Sequence, residues 1–185
     1  MLETPMTDPR AFACTATLKN GLAVTIRSLR ADDRERIATA FRNLDRESVY
    51  FRFFSYRELT DAGLDRVMRV DPSREAALVV TTGGGAEEIV IGSGRYVATS
   101  PDGGAPAAEV AFVVEEDYQG LGIAGRLLAN LAAIARDRGI ATFEADVLAE
   151  NKAMLGVFAR SGFPMRMRRE DGAVHVTLSL CGEPG

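Results

Sequence analysis

The stretch from Ala108 to Leu128 reads AEVAFVVEEDYQGLGIAGRLL, and the rest of the chain is interpreted around it. Its apolar run, 110–114, is typical of a buried strand, and an acidic turn follows at 115–118. Gly120, Gly122 and Gly125 then fall within six residues, directly before a helical pattern. Glycine lets a ligand approach the backbone, and the free amides at a helix N-terminus attract anions. The stretch therefore predicts a strand–loop–helix unit that binds a phosphate or pyrophosphate.

This loop differs from the two common nucleotide-binding loops. It lacks the Gly-Lys-Ser/Thr ending that holds an NTP and its magnesium. It also lacks the third glycine of the dinucleotide fingerprint, although a version that tolerates alanine is arguable. A dinucleotide loop normally follows the first strand of its domain, whereas this loop lies past the middle of the chain.

Composition limits the class of protein. A chain of 185 residues, 46% hydrophobic and 26% charged, is typical of one globular domain. The net charge of -4 argues against a nucleic-acid partner. No apolar run approaches the ~18 residues of a membrane span, and no signal pattern opens the chain. Cys14 and Cys181 form neither a metal pattern nor a redox pair, so we expect a cytoplasmic protein with no membrane partner and no metal.

The hydrophobic pattern predicts an α/β (α+β) domain of about seven strands and about four helices. The domain is expected over 20–182, with 1–19 as a tail or a loosely docked segment. The aromatic-rich residues 50–54 are expected in the core. The predicted strands are 23–29, 76–82, 88–98, 110–114, 141–148, 163–169 and 173–180, and the helices begin near residues 33, 60, 121 and 151.

Three segments resemble the GNAT superfamily of N-acetyltransferases. Residues 119–124, QGLGIA, are similar to its Gln/Arg-x-x-Gly-x-Gly/Ala signature. Residues 151–163 are similar to its Asn-x-x-Ala…Gly-Phe helix, and residues 20–54 to the start of the acetyltransferase domain of bacterial protein-lysine acetyltransferases. The resemblance implies the GNAT fold, a central mixed, mostly antiparallel sheet with two splayed strands at the coenzyme site.

The same resemblance implies acetyl-CoA as the co-substrate. The backbone of Phe112, Val113 and Val114 would line the pantetheine arm, and Asn151 would cap its helix and bind the same arm. The pyrophosphate would lie in the loop formed by Gln119, Gly120, Leu121, Gly122, Ile123, Ala124 and Gly125. Arg126 and Arg160 are weaker candidates for the phosphates, because arginines on exposed helix faces are usually only solvated.

Acetyl transfer to an amine needs the neutral amine, and lysine, with a pKa of ~10.4, is only about 0.04% neutral at pH 7. Glu109, whose position matches the catalytic glutamate of the bacterial lysine acetyltransferases, is the predicted general base. The family places an oxyanion-binding amide near Val113 or Val114. Its tyrosine acid is replaced here by Phe158, which cannot donate a proton. His175, the sole histidine, is expected to be structural.

The predicted function is acetyl-CoA-dependent N-acetylation of a primary amine, with a protein lysine as the preferred acceptor. Two alternatives stay open. One is a small-molecule amine acetyltransferase, and the other is a non-catalytic acyl-CoA-binding sensor, which the missing tyrosine favours and Glu109 disfavours. A homodimer also stays open.

Overall fold

The computed structural model of the chain describes residues 10–44, 60–99 and 105–181. The predicted aromatic core segment, 50–54, lies outside these ranges. The strands are β1 Ala13–Thr17, β2 Ala23–Ser28, β3 Glu75–Thr82, β4 Ile89–Thr99, β5 Ala107–Val114, β6 Thr142–Leu148, β7 Met165–Glu170 and β8 Ala173–Ser179. The helices are α1 Arg34–Arg42, α2 Asp61–Met68, α3 Ile123–Asp137 and α4 Lys152–Ala159.

The eight strands form one mixed sheet in the order β1-β2-β3-β4-β5-β6-β8-β7. All neighbours are antiparallel except β5 and β6, which run parallel because α3 connects them as a crossover. The predicted fold class is confirmed, and the sheet has one strand more than the seven that the pattern predicts.

The additional strand is β1, which lies in the segment expected to be a tail. It pairs with β2 from Ala13 opposite Arg27 to Thr17 opposite Ala23. The turn between the strands contains Asn20 and Gly21, and Gly21 has a φ of 84°. Asn-Gly is a strong hairpin signal between two strands. The N-terminal hairpin thus belongs to the sheet, whereas the domain boundary itself stays a prediction.

The sheet buries a different cluster on each face. On one face, the large core packs beneath α3, where Leu127 and Leu131 are fully buried. On the other face, α1 and α2 cover a smaller cluster of Ile37, Leu64, Val79 and Val90. Alternation along β5 and β6 sends one set of apolar side chains into the large core and the acidic side chains to the opposite face. The core set is Ala108, Val110, Phe112, Phe143, Ala145 and Val147.

A buried ion-pair network joins β2, the start of α1 and the start of β4. Arg27 donates two hydrogen bonds to the Asp33 carboxylate, at 2.8 and 2.7 Å, and another to Glu88 at 3.0 Å. Arg27 and Asp33 are both buried. Burial raises the pKa of Asp33, but the hydrogen bonds from Arg27 and from the Arg30 amide outweigh it and leave that pKa below its usual value.

No helix in the part of the chain that the structure describes is long and apolar enough to span a membrane.

Candidate active site

The site begins where β5 and β6 separate. The two strands pair only at Ala107, Ala108 and Glu109, opposite Thr142, Phe143 and Glu144. β5 then continues to Val114 and stays paired with β4 along its other edge. The wedge between β5 and β6 therefore leaves one edge of β5 without a strand partner beyond Glu109, which is the predicted splay.

The backbone amides and carbonyls of successive β5 residues point alternately into the wedge and toward β4. Pro106 accepts a hydrogen bond from Ala141 on the β6 side, whereas the Glu115 amide donates to Ile91 on the β4 side. By this alternation the amides of Phe112 and Val114 face the wedge, and the amide of Val113 faces β4. Of the two amides expected to hold an oxyanion, the amide of Val114 is the one that faces the wedge.

A cavity of about 360 Å³ fills the wedge. All but one of the predicted coenzyme-binding residues line it. They are Phe112, Val113, Val114, Gln119, Gly120, Gly122, Ile123, Ala124, Gly125 and Asn151. Leu121 is the exception, since its side chain packs against the large core. Residues from Phe112 to Asn151, 39 positions apart in the sequence, thus share one cavity.

The glycine loop forms one end of this cavity. Gly120 and Gly122 have φ angles of 75° and 95°, a region that strains any residue with a Cβ. Gly122 is the N-cap of α3, so the first amides of that helix open beside the cavity. The Gln119 side chain donates to the Val114 carbonyl at 3.2 Å and fixes the loop on the end of β5.

Two cations supplement the loop. Lys19, from the turn of the N-terminal hairpin, lines the cavity together with Arg160. The Lys19 amide donates to the Leu121 carbonyl at 3.4 Å, and Arg126 donates to the Thr17 carbonyl at 2.7 Å. Arg126 therefore holds the hairpin against α3. Sequence reasoning missed Lys19 because it read the hairpin as a tail, although Asn20-Gly21 was the available signal.

The wall opposite the loop is apolar and closely packed. Phe158, buried on α4, has its ring centroid 6.1 Å from that of Phe112. Gly94 on β4 allows this arrangement, because an added Cβ would lie 2.8 Å from Phe112 Cδ1. Asn151 accepts a hydrogen bond from the Met154 amide at 3.0 Å, so its predicted capping of α4 is confirmed.

Glu109 lies at the closed end of the wedge, outside the residues that line the cavity. It is exposed, on the face opposite α3, with Val97 of β4 and Glu144 of β6 as its neighbours. From this position the Glu109 carboxylate reaches a ligand in the cavity either across the last β5–β6 residue pair or through a water molecule.

A second, smaller cavity of about 90 Å³ lies on the Glu109 face, between the sheet and helices α1 and α2. Its lining is mostly apolar and includes Ile37, Val67, Ala111 and Val113. Glu115 also lines it, and burial, followed by the charges of Asp117 and Glu116, raises the pKa of that carboxyl. Ala111 and Val113 border both cavities, so β5 separates the two spaces.

No group of three or more His, Cys, Asp or Glu side chains that could hold a metal occurs among the described residues. Cys14 and Cys181 are both free thiols. Tyr96 is fully buried and accepts a hydrogen bond from Arg138 at 2.9 Å, so it has a packing role.

Known proteins share this arrangement. The model of the acetyltransferase (GNAT) family matches residues 39–163. Acetyltransferase PA5475 from Pseudomonas aeruginosa is 32% identical over 148 residues, 80% of this chain and 78% of that protein. Acetyltransferase Pat from Mycolicibacterium smegmatis is 36% identical over 137 residues, which are 74% of this chain but only 40% of that longer protein.

Among solved structures, the GNAT domain of S. lividans PAT superposes with a TM-score of 0.81 and 33% identity, covering 90% of this chain and 96% of that domain. The strand–loop–helix unit, the splayed strands and the match to the family model over most of the chain all indicate the same family. The chain therefore belongs to the acetyltransferase (GNAT) family.

Proposed function

We propose that this acyltransferase moves the acetyl group of acetyl-CoA to the side-chain amine of a protein lysine, with Glu109 as a water-mediated general base. Acetyl-CoA as the co-substrate accords with the family. The observation that carries the finer proposal is the wedge, which has a glycine loop and a helix N-terminus at its open end and a carboxylate at its closed end. The cytoplasmic location stays a prediction.

We assign acetyl-CoA a single orientation in the cavity, with its pyrophosphate at the glycine loop and its thioester toward the closed end. The pyrophosphate is assigned to the amides of 120–125, with Lys19 and Arg160 as counter-charges. The pantetheine arm is assigned to the free edge of β5, whose amides at Phe112 and Val114 face the cavity. The thioester then lies toward the closed end, near Glu109.

The proposed reaction starts with removal of one proton from the lysine ammonium. Glu109 takes that proton through a bound water molecule, and the neutral nitrogen attacks the thioester carbonyl. The C–S bond then breaks and the nitrogen releases its second proton to solvent, which leaves a neutral amide and the CoA thiolate. Phe158 occupies the position of the usual tyrosine acid and cannot donate. A thiol with a pKa of ~8.5 leaves adequately as the thiolate, so no strong acid is required.

Two observations favour a lysine acceptor. Residues 20–54 resemble the start of the acetyltransferase domain of bacterial protein-lysine acetyltransferases, and the second cavity offers an apolar surface for the stem of a long side chain. Because this chain spans 40% of Pat, the substrate of that protein is not transferred to it directly.

The test compares Glu109→Gln with Glu144→Gln. Glu109 and Glu144 are register partners on β5 and β6, so each variant removes one negative charge from the same place in the sheet. We expect Glu109→Gln to lower kcat about 100-fold or more at pH 7, with acetyl-CoA affinity unchanged by calorimetry, and Glu144→Gln to retain most of the activity. Retained kcat in Glu109→Gln would remove Glu109 from the mechanism. Turnover of free amines but not of folded proteins would instead establish the small-amine alternative.

A further inference from the structure

Asp146 is the one acidic residue among those that line the larger cavity within the described ranges 10–44, 60–99 and 105–181. It lies on β6, two residues beyond Glu144, where the pairing with β5 ends. Its neighbours Ala145 and Val147 point into the core, so Asp146 points to the face that Glu109 and Glu144 share. Nothing in the sequence distinguishes Asp146 from other surface acids.

A hydrogen bond to His175 holds the Asp146 carboxylate. The two residues are register partners on β6 and β8, and Asp146 Oδ1 lies 2.8 Å from His175 Nδ1. With Nδ1–H donating to the carboxylate, Nε2 points away from Asp146. The side chains are 63% and 33% exposed, so the pair is open to solvent and to a ligand.

Strand β7, the neighbour of β8, does not disrupt the hydrogen bond between Asp146 and His175. Arg168 of β7 is the register partner of His175 on its other side, but its guanidinium pairs with Glu170 at 3.2 Å. In the described ranges the Asp146 carboxylate forms no ion pair with an arginine and therefore keeps its negative charge.

The negative charge of Asp146 determines which part of a ligand can bind beside it. At ~3.3 Å per residue, Asp146 lies roughly 10 Å along the wedge from the level of Val114, where the glycine loop begins. A carboxylate repels phosphates, so this end of the cavity does not suit the anionic part of CoA. It suits a cation, and the only cationic reactant in the proposed reaction is the ammonium of the acceptor.

We propose that Asp146, positioned by His175, binds the acceptor ammonium beside the thioester and so selects a cationic amine. The inference rests on the proposed function and adds a recognition residue to it. Asp146 contacts the substrate in this scheme, whereas His175 acts through Asp146 and is a positioning residue.

The kinetic test uses the purified chain with acetyl-CoA and a peptide that contains one lysine and a blocked N-terminus. We expect Asp146→Asn to raise the KM for the peptide about five-fold, the usual scale for a partly exposed ion pair. His175→Gln should raise it about two-fold. Acetyl-CoA affinity should not change in either variant. Glu87→Gln, an exposed acid that is not among the residues lining the cavity, is the control and should leave the KM unchanged.

A spectroscopic test does not depend on turnover. His175 is the only histidine of the chain, so the Hε1 proton of its imidazole gives one unambiguous NMR signal. In the presence of CoA, the lysine peptide should shift this signal, whereas the same peptide with norleucine in place of lysine should not. The Asp146→Asn variant should lose the shift.

The inference is overturned if Asp146→Asn leaves the peptide KM unchanged, or if both peptides shift the histidine signal equally. If the wild type binds acetyl-CoA but acetylates no lysine peptide, the proposed acceptor is wrong, and the NMR titration alone decides whether Asp146 binds the ammonium. If acetyl-CoA does not bind, the proposed function falls first.

Discussion

Single glycines serve opposite purposes around this cavity. Gly94 makes room inside the protein, because a Cβ there would lie 2.8 Å from Phe112 Cδ1 and 3.1 Å from Leu131 Cδ1. Gly125, in the first turn of α3, has no protein atom within 4 Å of an added Cβ. Since glycine weakens a helix, an open glycine at a helix N-terminus indicates room kept for a ligand.

We predict that Gly125→Ala stabilises the protein and weakens its coenzyme site. Alanine favours the helix by up to about 1 kcal/mol, so the thermal midpoint should rise by a few degrees. Its methyl group takes the space assigned to the pyrophosphate, so calorimetry should show a loss of acetyl-CoA affinity of about ten-fold. Gly94→Ala is the contrast and should lower the midpoint. Unchanged affinity in Gly125→Ala would place the pyrophosphate elsewhere.

At the scale of elements, the ends of helices build the site. α3 begins at Gly122 and α4 follows Asn151, and both residues line the cavity. Asn151 already caps α4 through its side-chain oxygen, which accepts from the Met154 amide. Its amide N–H₂ group is a separate donor, so capping and coenzyme binding are compatible.

Substitution by serine separates these two roles of Asn151. Serine is a good N-cap and carries no charge, so Asn151→Ser should keep the free energy of unfolding within a few tenths of a kcal/mol. Asn151→Ala should lower it by about 1 kcal/mol in urea titrations. Both variants should bind acetyl-CoA about five-fold more weakly if the N–H₂ donates to the pantetheine. Wild-type affinity in Asn151→Ser would limit Asn151 to capping.

At the scale of the whole molecule, the Arg27 network joins parts that are distant in the sequence. Arg27 lies on β2, Asp33 precedes α1, and Glu88 precedes β4. The hydrogen bonds that the guanidinium donates to Asp33 and Glu88 raise the pKa of Arg27 above its usual value, so the guanidinium stays charged at any working pH. Removing one member of such a buried group leaves another member without its partner, which is costly.

We predict that Asp33→Asn lowers the free energy of unfolding by about 3 kcal/mol at pH 7. The pKa of Asp33 is lowered in the folded state, so its stabilisation is complete above the unfolded value of about 3.9 and is lost as the pH falls through the folded value. Urea titrations between pH 3 and pH 7 should therefore show a smaller acid-side loss in the variant than in the wild type.

The exposed pair of Arg34 and Asp65 is the matched control. Its N···O distance is 2.6 Å, but the Asp65 side chain is 59% exposed. Asp65→Asn should cost less than about 1 kcal/mol. Equal losses in Asp33→Asn and Asp65→Asn would contradict a special role for burial.

Local sequence signals determined the order of the elements and the glycine loop. Alternation of apolar and polar residues predicts a strand wherever one face of the strand is buried. Thr60 caps α2, since its side chain accepts a hydrogen bond from the Gly63 amide. The Asp171-Gly172 turn adopts the two positive φ angles that are typical of a tight hairpin. The three glycines before α3 predict an anion site because the geometry lies within one strand–loop–helix unit.

Tertiary structure alone decided which distant residues meet. The sequence cannot show that β5 and β6 separate after Glu109, since strand pairing depends on register and twist between strands 35 residues apart. That separation creates the cavity and leaves Glu109 outside its lining. It also places Asp146, which His175 from β8 holds, and Lys19 from the first hairpin among the residues that line the cavity. Local patterns carry no information on such contacts, because packing and not periodicity sets them.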